Sequence, residues 1–306
     1  MQESLDRFSK DCTDFGLTIS TKKTEIMYQP APRVPYTEPS ITLDGQELAV
    51  ADKFSYLGST LSRTVSIDEE VTLRIARGSA AFGKLHNTVW NRRGISLQTK
   101  LKVYRAVVMP SLLYACETWT VYSRHAKQLN AFHMRCLRKL LHIKWQDKTP
   151  DTEVLQRAEM TSVYAMLRRS QLRWAGHVCR MPDERLPKRM FYGELIEGKR
   201  SRGGQKKRFK DTLKASMKSC GIDPHSWEQL AKDRAGWRHQ INTGAAAFEE
   251  HRINEAKQKR QQRKSRASAN PQSIQPLEIP CPYCPRLFRA QIGLTSHLRT
   301  HISARI

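Results

Sequence analysis

Four residues near the end of this sequence have the types and the spacing of a metal-ligand set. In CPYCPRLFRAQIGLTSHLRTH, two residues separate Cys281 from Cys284, twelve separate Cys284 from His297, and three separate His297 from His301. Two thiolates on a hairpin knuckle and two imidazoles one helical turn apart converge tetrahedrally on zinc. Phe288 and Leu294 stand where so small a unit keeps its apolar core, and without the ion such a core does not fold. The spacing predicts a C-terminal ββα finger of the C2H2 type over 281–301, with zinc as its cofactor.

The same stretch is poorly equipped to read a base sequence. In finger geometry the base-facing helix positions fall on Ala290, Gly293 and Ser296. Ala and Gly make no bidentate bond to a base edge, and Ser discriminates poorly. One finger covers only about three base pairs. Arg286, Arg289 and Arg299 remain available for phosphates. The finger is therefore expected to grip a backbone, or a protein, rather than select a site.

No other cluster in the chain has catalytic or metal-binding spacing. His177 with Cys179, and Cys136 with His142, are expected to be core or surface residues. No glycine-rich phosphate loop precedes Lys-Ser/Thr, and HExxH and GxSxG are absent. Apart from Cys281 and Cys284, the cysteines are widely spaced, which suits buried thiols in a reducing compartment. The N-terminus MQESLDRFSKD is not a signal peptide, and the apolar run from Ala106 to Cys116 is too short for a bilayer span. An intracellular place, nuclear or cytoplasmic, is expected, with no membrane partner.

Charge points to the partner. Fifty-three Lys and Arg stand against 29 Asp and Glu, a net charge of +24 over 306 residues. Folding does not require such an imbalance; a polyanion, nucleic acid above all, explains it. The cations concentrate in LPKRMFYGELIEGKRSRGGQKKRFK, where Lys199, Arg200, Arg202, Lys206, Lys207 and Arg208 are candidate phosphate contacts. Gly203-Gly204 lets the backbone approach, and the nearby aromatic residues offer stacking surface.

The elements that carry these groups are read from periodicity. Leu5, Phe8, Cys12 and Phe15 predict a helix ended by Gly16. LTISTKKTEIMYQ reads as a short strand and turn, and Pro30, Pro32 and Pro35 mark an extended spacer. ITLDGQELAV is a hairpin turning at Asp44-Gly45, and FSYLGSTLS reads as a third strand. After Ser66 the pattern is helical. Val71, Ile75, Ser79, Phe82 and Leu85 share a face, and Ser96 caps a helix that Pro110 breaks. Ser123 opens another; Asp151 and Thr161 are candidate caps for two more. Asp223-Pro224 opens a helix with Trp227, Leu230, Arg234, Trp237 and Ile241 on one side. HRINEAKQKRQQRKSRASA is a solvated helix or a disordered arm, and SANPQSIQPLEIP a tether.

Several motifs, in this order, resemble the C-terminal part of a LINE-type (non-LTR) retrotransposon endonuclease–reverse transcriptase. FGLTISTKKTEIM (15–27) resembles the last palm motif, and FSYLGSTLS (54–62) resembles the primer grip. RWAGHVCRM (173–181), GKRSRGGQKKRFKD (198–211) and LAKDRAGWR (230–238) resemble signatures of the region after the thumb. The resemblance implies that Lys23 falls near the incoming nucleotide and adds Tyr56, on the primer-grip hairpin, to the candidate contacts. It implies a mainly α chain whose small N-terminal β-hairpin is a palm remnant. The expected divisions are a palm remnant over 1–62, a helical thumb-like region over 63–122 and a basic helical region over 123–245. A basic linker over 246–280 and the finger complete them.

Polymerases of this kind need paired carboxylates that hold two metal ions. In the family these lie in an aromatic-Ala-Asp-Asp strand upstream of a segment like 1–27; Asp6, Asp11 and Asp14 do not replace them. The expectation is a chain that binds RNA, DNA or both through phosphates, and a protein partner through the finger, without catalysis. The alternative is a C2H2 regulatory or protein-interaction protein.

Overall fold

In the computed structural model, residues 1–30, 34–193, 207–269, 279–288 and 290–303 are described. The chain is mainly helical, with few short strands. It divides into two units, Met1–His251 and Arg252–Ile306.

The first unit begins with helix α1 (Gln2–Asp14), closed by Gly16 at φ +68°. The predicted stripe is half inward: Leu5 packs against the small core and Cys12 is half-buried, but Phe8 and Phe15 are 58% and 82% exposed, and Ser9 is buried instead, its hydroxyl donating to Asp44 Oδ1 at 3.0 Å. Strand β1 (Glu25–Ile26) follows a single 3-10 turn, Thr21–Lys23. Strands β2 (Thr42–Leu43) and β3 (Gln46–Glu47) form the expected hairpin, with Asp44 and Gly45 both at positive φ. Strand β4 (Ala49–Val50) runs parallel to β1. Ile26, Ile41, Leu43 and Leu48 form the small core beneath.

FSYLGSTLS is a hairpin of its own rather than one strand. Strand β5 (Lys53–Tyr56) pairs antiparallel with β6 (Ser59–Ser62) across Leu57 and Gly58, at φ 47° and 79°. This turn is fixed to helix α2 (Asp68–Lys84). The buried Glu70 accepts the Thr60 N–H at 2.7 Å and pairs with Arg74 at 2.7 Å. Arg74 Nη2 donates to the Gly58 carbonyl at 2.7 Å, and Arg77 donates to the same oxygen. Removing two charges from water is costly, and here each charge is hydrogen-bonded as well as paired. On α2, Val71 and Phe82 are buried as expected, but Gly78 takes the inward position instead of Ser79.

Ser96 caps α3 (Leu97–Val103), accepting the Thr99 N–H at 3.2 Å. Pro110 does not end this helical run. One wide π turn, Tyr104–Val108, leads into α4 (Met109–Leu113), with Pro110 in its first turn. Proline lacks the N–H that would bond four residues back, and the widened turn accommodates that loss. Helices α5 (Ser123–Leu140) and α6 (Asp151–Arg157) pack on this layer. Helix α7 (Val163–Cys179) is capped by Ser162, not Thr161. Ser162 also donates its hydroxyl to the buried Glu249 at 2.6 Å.

Two large cores result, and α7 contributes to both. One runs from Val71 to Leu167, with Tyr104, Leu112, Leu129 and Leu137 fully buried. The other runs from Leu172 to Ile241 and takes in α8 (Leu186–Tyr192), α9 (Phe209–Ser219), α10 (Trp227–Lys232) and α11 (Arg234–Ala269). The helix expected to follow Asp223-Pro224 is broken in two. Asp233 is extended, and its carboxylate accepts the Ala235 and Gly236 N–H groups, starting α11 afresh. Leu230 is consequently exposed rather than inward.

In the second unit, the segment expected to be a solvated helix or a disordered arm is helical through Ala269. Strands β7 (Ile279–Pro280) and β8 (Leu287–Phe288) pair antiparallel, and α12 (Gln291–Ser303) follows. Most of the tether SANPQSIQPLEIP lies outside the described residues. No described helix is long and apolar enough to cross a membrane.

Candidate metal centre and cationic surfaces

The β7–β8 ladder and α12 bring the four predicted ligands together. The ligand atoms of Cys281, Cys284, His297 and His301 all lie within 4.8 Å of one another, so the cluster could hold a metal ion. Cys281 Sγ is 3.5 Å from His301 Nε2, Cys284 Sγ is 3.2 Å from His297 Nε2, and the two Nε2 atoms are 3.0 Å apart. Local backbone bonds shape the knuckle: the Cys281 N–H donates to the Arg286 carbonyl at 2.9 Å, and the Tyr283 N–H points at Cys281 Sγ at 3.5 Å. Desolvation, then the neighbouring His301 and Arg286, lower the His297 pKa, favouring the neutral imidazole that ligates metals. Leu294 is buried beside the cluster, and the Phe288 ring lies 4.9 Å from that of His297. Among the described residues this is the one group of three or more such side chains close enough to share an ion.

Two of the remaining thiols are held protonated by burial. Burial pushes Cys116 and Cys136 up to about 12, so neither presents a thiolate at neutral pH. No disulfide joins any of the seven cysteines.

The candidate phosphate contacts that are described lie on several local elements. Lys23 and Tyr56 are exposed on separate local elements, the turn before β1 and the end of β5. Lys207 lies against Tyr122: its N–H donates to the phenol oxygen at 3.0 Å and its ammonium sits 5.5 Å from the ring centre. Arg208 pairs with Asp211 at 3.5 Å at the start of α9. Arg286 and Arg299 are exposed around the metal-ligand cluster. Lys199, Arg200, Arg202, Lys206 and Arg289 lie outside the described residues.

One concentration of cations was not singled out by sequence. Arg173, His177 and Arg180 on α7, with Arg234 and Arg238 on α11, line a single cleft. The signal was present as helical spacing: steps of four and three on one helix and of four on the other place each set on one face. What sequence could not supply was the crossing that brings the faces together.

Comparisons with known proteins fit this mainly helical, basic chain. It is 25% identical over 243 residues to a transposon-derived protein of Caenorhabditis elegans, covering 76% of this chain and 85% of that protein. It is 26% identical over 155 residues to the RNA-directed DNA polymerase from mobile element jockey of Drosophila funebris. The jockey polymerase of Drosophila melanogaster matches at 21% over 159 residues. Each polymerase match covers 50% of this chain but only 17% of the polymerase. The chain is thus similar to transposon-derived and mobile-element proteins. No protein-family model matches it, and no solved structure matches it.

Proposed function

We propose that this chain is a nucleic-acid-binding and zinc-binding relative of the C-terminal part of a LINE-type reverse transcriptase, and that it makes no bonds itself. The observation that carries the reading is the combination of similarity to mobile-element polymerases with a net charge of +24. A strand bound through many arginines and lysines needs no sequence-reading element, which agrees with the small side chains at Ala290, Gly293 and Ser296.

Zinc is the ion the donor set favours. Two thiolates and two imidazoles are soft and borderline ligands that suit it. Bond lengths of about 2.3 Å to sulfur and about 2.0 Å to nitrogen give tetrahedral edges of about 3.5 Å between S and N and about 3.3 Å between N and N. The separations of 3.5, 3.2 and 3.0 Å lie close to those edges. Cys281, Cys284, His297 and His301 would hold the ion, whose role is to fold a ββα finger.

The test is a salt titration of the purified chain on single-stranded and structured RNA and DNA. If about six phosphates are neutralised, affinity falls roughly a thousandfold between 50 and 200 mM salt. A flat titration, or primer extension by the chain alone with magnesium, overturns the reading. A second role, protein contact through the finger, is favoured by its exposed Tyr283, Leu287 and Ile292. Capture of one protein partner by the full chain after nuclease treatment, lost on Ile292→Ser, tests it.

A further inference from the structure

RWAGHVCRM and LAKDRAGWR lie 49 residues apart at their nearest ends, from Met181 to Leu230, yet they meet in space. The meeting point is Gly176. A Cβ there would lie 2.0 Å from Trp237 Nε1, so the close approach of α7 and α11 requires glycine. The indole Nε1–H of Trp237 donates to the Leu172 carbonyl at 3.2 Å and fixes the two helices at that spacing. Beside the crossing the helices enclose a cleft of about 510 Å³.

The lining of this cleft is unbalanced in charge. Arg173, Arg234 and Arg238 are exposed, and none makes an ion pair with a carboxylate of a described residue. Arg180 is anchored, its Nη1 donating to the Ala231 carbonyl at 2.5 Å. Glu117 is the one carboxylate in the lining. Trp174 lines the same cleft half-buried, braced edge-on by Phe209 at 5.4 Å and Phe191 at 5.8 Å. Guanidinium forks match phosphate oxygens, and a rigid indole offers a base a stacking partner. Volumes of about 300–1,000 Å³ suit small ligands. A concavity of that size admits a strand or a strand end, not the flank of a duplex.

We propose that the cleft between α7 and α11 is a binding site for single-stranded nucleic acid, with phosphates on Arg173, Arg234 and Arg238 and a base against Trp174. It rests on the reading that the chain binds nucleic acid, and it assigns that binding a place. An acidic peptide shares the charge but leaves the indole without a flat partner.

The experiment uses the full chain and a fluorescein-labelled single-stranded RNA followed by anisotropy. The variant R173Q/R234Q/R238Q removes three exposed cations without breaking an ion pair. A matched control, K84Q/K102Q/K127Q, removes the same charge from exposed positions elsewhere in the same unit. The cleft variant is expected to bind at least tenfold more weakly, with a salt slope lower by about two, from about 0.7 per phosphate contact. The control is expected to lose less than threefold. In the unsubstituted chain, photo-crosslinks from 4-thiouridine RNA are expected in peptides covering 173–181 and 234–241; this measurement decides the matter if the variant fails to fold. Equal losses in both variants, or crosslinks confined elsewhere, overturn the cleft while leaving general binding standing. Competition by polyglutamate as effective as by RNA of equal charge also overturns it. Failure of the unsubstituted chain to bind RNA or DNA overturns this proposal and the wider reading together.

Discussion

Replacing Gly176 by Ala tests whether the α7–α11 crossing is as tight as described. The new methyl would meet Trp237 Nε1 at 2.0 Å and Cδ1 at 2.4 Å, where ordinary contact needs about 3.5 Å. The indole cannot swing aside freely, because Trp237 is buried with Trp227 and Ile241 in one core. Relief therefore means parting the helices by roughly 1.5 Å or displacing the ring, at about 1–3 kcal/mol for an overpacked core. Either movement also weakens the indole bond to Leu172, worth about 1 kcal/mol. Against this, Ala is favoured over Gly in a helix by about 1 kcal/mol. The net expectation is a loss of about 2 kcal/mol, or roughly 4–8 °C in melting temperature for a body of this size. The assay is urea unfolding of the full chain followed by circular dichroism, run as a cycle with Trp237→Leu. Once Trp237→Leu has removed the indole, the same Gly-to-Ala change should be neutral or stabilising. A neutral G176A in the native background, or an equal cost in both, refutes the steric account.

Two further perturbations have defined signs. Chelation of zinc by a strong chelator should abolish the helical signals of 291–303 and leave amide protection in the α2–α7 core unchanged, read by hydrogen exchange; retention of α12 without metal contradicts the folding role assigned to the ion. Burial lowers His133 from 6.5 to about 4 in the folded chain, where it stacks on and bonds to Tyr104 at 2.9 Å. The unfolded chain then binds the proton first as pH falls, so stability is full above about 6.5 and declines towards pH 4. The loss approaches about 3 kcal/mol at about 1.4 kcal/mol per pH unit, and urea midpoints in His133→Gln should lack that part of the pH dependence.

What sequence disclosed and what it hid divide along the range of the interactions. The four ligands and the Asp44-Gly45 turn were legible because spacing or local backbone geometry alone defines them. Periodicity alone reads FSYLGSTLS as one strand, because Leu disfavours the positive φ that the Leu57-Gly58 turn needs, although the primer-grip resemblance implies a hairpin; the two guanidiniums on the Gly58 carbonyl help hold the turn. Pro110 misled because a wide turn, not a helix end, accommodates it. Phe8 and Phe15 match a helical stripe, yet the small sheet beside α1 presents Asp44 to Ser9 and leaves both rings outside. The cleft depends on a crossing between residues 176 and 237, which no local pattern encodes.

The anchoring of the β5–β6 hairpin has a mechanical consequence. Its turn is tied to α2 through Glu70, Arg74 and Arg77 and its base through the Lys53–Glu69 pair, while Arg63 and Asp52 close the hairpin's own ends. One residue earlier, the Ala51 N–H bonds instead to the Ile26 carbonyl of the first small sheet. Tyr56, beside this turn, is therefore positioned by α2, whereas Lys23, in the turn before β1, is positioned with the first small sheet.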